Sequence, residues 1–91
     1  GKLFDNVVAA IRSDRYMVSW HADERCEERE VSAWQLVVGI NDAQLNASDL
    51  GQPEPIVVLQ HELVDGSEVE AVWSWLAESN RAMLVTVYFR D

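Results

Sequence analysis

The sequence predicts one α+β domain: an N-terminal helix, a short strand, two consecutive helices, and a three-stranded antiparallel meander with the helices packed on one sheet face. Three observations carry that expectation. The first third holds apolar residues at helical spacing, two helix-start signals follow each other closely around Ser19 and Ser32, and the last third contains three runs rich in Val, Trp and Leu. At 91 residues the chain forms a single domain, 1–91, large enough for a compact core that needs neither disulfides nor metal.

Leu3, Phe4, Val7, Val8 and Ile11 make one helical stripe, so the first helix ends near Arg12 to Asp14. Arg15 to Ser19 alternates and contains Tyr16, Met17 and Val18, as a short strand does. Ser19 then caps a helix that stops near Glu30. Ser32 with Gln35 three residues later forms a capping box, and Val31 and Leu36 stand in staple positions. Trp34, Val37, Val38 and Ile40 are the expected buried side of this third helix, which closes near Asn41. Asn46 to Pro55 carries Asn, Ser, Asp, Gly and two prolines and is expected to be a loop.

The strands are expected at Ile56–Val64, Glu68–Leu76 and Ala82–Arg90, joined through Asp65-Gly66-Ser67 and Glu78-Ser79-Asn80. Asn80 suits the left-handed position of a three-residue loop, which sets Trp75 opposite Met83, Trp73 opposite Val85, Ala71 opposite Val87 and Val69 opposite Phe89. In the first hairpin an odd loop sets Leu63 opposite Val69, His61 opposite Ala71, Leu59 opposite Trp73 and Val57 opposite Trp75. The face to be covered by helices then holds Val57, Leu59, His61, Leu63, Val69, Ala71, Trp73, Trp75, Met83, Val85, Val87 and Phe89. The other face presents Ile56, Val58, Val72, Leu76, Leu84 and Tyr88, with Glu62 and Glu70 opposed and Arg90 placed to relieve them.

Composition narrows the function classes. A net charge of −9 makes a nucleic-acid backbone a poor partner, since such binding depends on Lys and Arg contacts that release counterions. Five of the seven basic residues precede position 30, so any anion site is local to Arg25 and Arg29. The one cysteine, Cys26, excludes an intramolecular disulfide and points to a reducing compartment, by default the cytoplasm. No apolar run is long enough to span a bilayer and no signal-peptide pattern opens the chain. Two histidines and one cysteine lack zinc spacing, and no phosphate-binding glycine loop or nucleophile elbow occurs, so no metal or cofactor is expected.

The candidate chemistry lies in His21, Arg25, Glu28 and Arg29, which share one face of the second helix at intervals of four, three and one. His21 as acid or base, with Arg25 and Arg29 on a phosphate and Tyr88 or His61 assisting, is the enzymatic reading. Solvated salt bridges to acidic neighbours are the structural one. His61 on the apolar sheet face, with Trp34, Trp73 and Trp75, is the candidate small-molecule pocket. Val58, Val72, Leu84 and Tyr88 are the candidate surface for a second copy or a protein partner. The charge favours a non-catalytic, self-associating interaction domain over a nuclease.

The run Tyr16-x-Val18-Ser19-x-His21-Ala22-x-x-Arg25-x-x-Glu28-Arg29-x-Val31-Ser32, with the closing strand Leu84-Val85-Thr86-Val87-Tyr88, resembles a family of small bacterial domains of unknown function. Those domains share a His-Ala-x-x-Arg-x-x-Glu-Arg-Gly-Ile helix and a Val-Thr-Val-Tyr strand. The resemblance covers about Tyr16 to Phe89, and Glu30 replaces the usual glycine. It implies a fold near the RelE-like and BrnT-like ribonuclease toxins, with His21, Arg25 and Arg29 at the matching positions. Those toxins are basic and this chain is acidic, so the resemblance bears on fold more than on activity.

Overall fold

The computed structural model describes residues 1–90. Three α-helices and a five-stranded mixed sheet make an α+β fold: α1 Lys2–Arg12, β1 Tyr16–Val18, α2 Trp20–Arg29, α3 Ala33–Val38, a 3₁₀ turn Gly39–Asp42, β2 Gln44–Asp49, β3 Ile56–Glu62, β4 Glu68–Leu76 and β5 Arg81–Phe89. The sheet order is β1-β5-β4-β3-β2, with β1 parallel to β5 and the other pairs antiparallel. The meander expected from the sequence is therefore the centre of a larger sheet. Its extra members are β1, at one edge, and β2, which overlaps the first part of the segment expected to be loop, Asn46 to Pro55. Strand β2 is exposed along its whole length, so it buries nothing and leaves no period-two signal to read.

Each helix start follows from a short side chain. Ser19 Oγ accepts from Ala22 N at 3.0 Å and caps α2. Ser32 caps α3 by accepting from Trp34 N at 3.2 Å, while Val31 and Leu36 are both buried as a staple requires. The turn between the two helices rests on Glu30, which ends α2 in the left-handed conformation with φ 54°. That conformation costs a residue with a β carbon roughly 1–2 kcal/mol, and glycine in its place gives back part of the gain through its more disordered unfolded chain. Glu30→Gly is therefore expected to raise stability by roughly 0.5–1 kcal/mol, measured as a higher urea midpoint at unchanged slope. No increase would mean that the Glu30 side chain contributes a compensating contact.

Both hairpin registers differ from expectation in instructive ways. In the first, Leu63 N donates to Ser67 O at 2.8 Å, so the loop is Val64-Asp65-Gly66 and Gly66 takes φ 87° at its last position. A three-residue loop needs its left-handed residue there, and glycine adopts it without strain. His61 consequently lies opposite Val69, not Ala71, with Leu59 opposite Ala71 and Val57 opposite Trp73. The shift is two residues, so every β3 side chain keeps the face expected of it.

In the second hairpin the loop is Ala77–Asn80, one residue longer, with Asn80 left-handed at φ 55°. Trp75 then faces Ala82 and Trp73 faces Leu84, until a bulge at Val85 restores the expected pairs Ala71 with Val87 and Val69 with Phe89. Ser19 stabilises that bulge: its N–H donates to Leu84 O at 3.0 Å and its hydroxyl to Val85 O at 3.2 Å. The consequence is that Ala82 and Leu84 are buried in the core, where Met83 and Val85 were expected.

The core unites Val7, Val8, Ala10 and Ile11 of α1, Ala22 and Cys26 of α2, Leu36 of α3 and Ile40 of the 3₁₀ turn with the inner sheet face. Trp73 is completely buried among them, its ring edge-on to Tyr16 at 6.3 Å. Trp34 and Val38, expected in the core, point outward at 68 % and 58 % exposure. Helix α3 is only six residues long, and Leu36 and Ile40, four apart, take its inward side, so the Trp34 and Val38 pair falls on the opposite one. Among the described residues no helix is long and apolar enough to cross a membrane.

Candidate functional site

A cleft of about 480 Å³ opens where β2 ends beside β3. Strand β2 begins at Gln44, opposite Gln60, so the last two residues of β3, His61 and Glu62, extend beyond it and leave room. Helix α3 and the 3₁₀ turn form one wall through Trp34, Gln35, Val38, Gly39 and Asp42. The hairpin supplies Leu63, Val64 and Glu68 on the other. Its size lies within the range of small-molecule sites.

His61 is 4 % exposed, and its Nε2 is sealed without a hydrogen-bond partner among the described residues. The ring's Nδ1 lies against Gly39, where a β carbon on residue 39 would come within 3.7 Å. A side chain there would meet the ring in ordinary van der Waals contact. Burial disfavours the charged ring and pushes its pKa below the ordinary value of 6.5. The unfolded chain thus takes up the proton more readily, and acid favours unfolding. The stability contributed by a neutral His61 is complete above about pH 6.5 and is lost as the pH falls below it. Relative to His61→Leu, the wild-type chain is expected to lose stability between about pH 7 and pH 5, read from urea midpoints at several pH values. Parallel pH profiles would contradict this.

Of the four residues expected to form one pocket, the structure brings together only His61 and Trp34. Trp73 is sealed in the core, and Trp75 lines a separate groove with Pro53 and Pro55, its backbone N–H donating to Pro55 O at 2.8 Å. Residues of this cleft that sequence reasoning missed are Asp42 and Gln44, from a turn and a strand with no apolar pattern, and Gly39.

His21, Arg25 and Arg29 lie on α2 and line neither the His61 cleft nor the Trp75 groove. Arg25 meets Glu28 at 2.5 Å and Arg29 approaches the same carboxylate oxygen at 3.6 Å, on side chains a third to a half exposed. Partly solvated pairs of this kind hold little energy. Cys26, one turn from Ala22, is buried in the core; burial first, and the Asp23 charge second, raise its thiol pKa and disfavour the thiolate.

On the outer sheet face the opposed acidic pair is Glu62 with Glu68, and Glu70 stands opposite Gln60. Asn46 Nδ2 bridges Gln60 Oε1 at 3.0 Å and Glu70 Oε1 at 2.8 Å. Arg90 donates to Gln60 Oε1 rather than to a carboxylate. Tyr88 stands opposite Glu70; its pKa is raised by desolvation first and then by the neighbouring Glu70 carboxylate, so the phenol stays neutral. Val58, Val72 and Tyr88 are half-buried on this face, but Leu84, expected beside them, belongs to the core because of the Val85 bulge. No protein-family model, curated protein or solved structure matches the chain.

Proposed function

We propose that this chain is a non-catalytic binding domain whose ligand occupies the cleft over His61. The observation that carries this reading is the buried, unpartnered imidazole at the foot of a cleft whose rim exposes Trp34 and Val38. Buried polar groups in folded proteins ordinarily find a partner, and exposed large apolar side chains gathered around one mark a place where a ligand gains by losing water. A nuclease reading has less support, because His21, Arg25 and Arg29 line neither the His61 cleft nor the Trp75 groove.

Screening a panel of small organic fragments by NMR tests it. Hits are expected to move the His61 imidazole and Trp34 indole signals, to weaken in Trp34→Ala, and to be indifferent to His21→Ala. Hits clustered around His21 and Arg25 instead would transfer the site to α2. A second reading, self-association through the outer face, is favoured by Val58, Val72 and Tyr88, half-buried and outside the helix-covered core. Sedimentation at micromolar concentration decides it, and a strict monomer removes it.

A further inference from the structure

We propose that the His61 cleft selects an organic ammonium ion carrying an aromatic or aliphatic body. This assignment rests on the binding reading above and adds the charge of the ligand. Asp42, Glu62 and Glu68 all line the cleft, and no Lys or Arg does. Asp42 and Glu62 take part in no ion pair among the described residues. Arg90, whose backbone N–H donates to Glu68 O at 3.0 Å, gives its guanidinium to Gln60 Oε1, so the Glu68 carboxylate accepts one neutral hydrogen bond, from Gln60 Nε2 at 2.9 Å, and takes part in no ion pair among the described residues.

Carboxylates alone would not define a ligand; the neutral ring does the rest. An anion entering here would meet three like charges and no cationic side chain, with neutral donors alone to offer it hydrogen bonds. An ammonium group meets the opposite field and can donate to those oxygens. Trp34, exposed at the rim, presents the kind of aromatic face on which a desolvated cation is held, while Val38 and Leu63 accommodate an apolar body. The net charge of −9 draws cations toward the whole molecule.

Three probes with a common phenylethyl body separate charge from shape: 2-phenylethylammonium, 3-phenylpropanamide and 3-phenylpropionate. Each is titrated into the intact chain while the His61 and Trp34 side-chain signals are followed by NMR. The ammonium probe is expected to bind at least about tenfold more tightly than the amide, with the propionate weakest. It is expected to lose that advantage in Asp42→Asn/Glu62→Gln. Gly39→Ala, whose φ of −83° admits a β carbon, leaves the charge intact and adds a methyl group to the cleft wall in van der Waals contact with Nδ1 at 3.7 Å, so a ligand seated over the ring is expected to bind severalfold more weakly.

If the amide or propionate binds the cleft as well as the ammonium does, the cation assignment fails and the binding reading stands. Silence at His61 and Trp34 from all three probes overturns the assignment, and the fragment panel then decides the binding reading separately. Ammonium binding that is unchanged in Gly39→Ala and spread over carboxylates elsewhere is diffuse attraction to an acidic protein and also overturns the proposal.

Discussion

Trp73→Ala is expected to destabilise the fold by roughly 3–5 kcal/mol, the usual range for truncating a buried aromatic side chain. Trp73 is 0 % exposed in the middle of β4, the central strand, where it packs opposite Leu84 and Val57 and edge-on to Tyr16. Removing it takes material from between the sheet and the helices at once, and a cavity there cannot collapse without moving β1 or α1. Against a total stability of about 5–15 kcal/mol for domains in general, such a loss should be visible as partial unfolding near 37 °C. Trp73→Phe isolates what the indole contributes beyond its ring. The Nε1 donor is buried without a partner, a state that costs about 1–3 kcal/mol, so phenylalanine trades lost packing for a relieved polar group and is expected to retain most of the stability. Urea denaturation of the two variants checks both statements; a loss below about 1 kcal/mol for Trp73→Ala would place this sheet face outside the core.

How far the fold could be read in advance depended on whether burial left a pattern. Helix α1, the Ser19 and Ser32 starts and the three long strands all bury one side and were legible as periodicity plus caps. Strand β2 is exposed throughout, and main-chain pairing with β3 leaves no mark on side-chain choice. The parallel partner of β1 was equally silent, since Tyr16–Val18 is three residues long and pairs with a strand 66 residues away, Tyr16 with Ala82. His61 was legible as a histidine on an apolar face. The cleft around it was not, because its open side is created by where β2 stops and by which way the short helix α3 turns Trp34 and Val38. Those are facts of tertiary placement. For a helix with several apolar residues, spacing alone identified an apolar set without selecting which members would face inward.

Leu84→Ala is expected to cost about 2–5 kcal/mol, and Met83→Ala no more than about 1 kcal/mol. The comparison tests the stretch of β5 where strand pattern and tertiary structure disagree about which side of the sheet is wet. Unbroken alternation back from Val87 puts Val85 and Met83 inside and Leu84 outside. The extra residue at the Val85 bulge reverses this, pairing Leu84 with the buried Trp73 and leaving Met83 half-exposed beside Met17. Ser19 ties the bulge to α2: its N–H donates to Leu84 O as the last rung of the β1–β5 pairing, and its hydroxyl donates to Val85 O while capping the helix. Ser19→Ala therefore removes a cap and a bulge tie together, and its cost should exceed the roughly 1 kcal/mol typical of a cap alone. Equal losses for Leu84→Ala and Met83→Ala, or a larger loss for Met83→Ala, would mean that β5 runs without the bulge. Leu84 would then return to the outer face beside Val58 and Val72, enlarging the apolar surface available to a second copy.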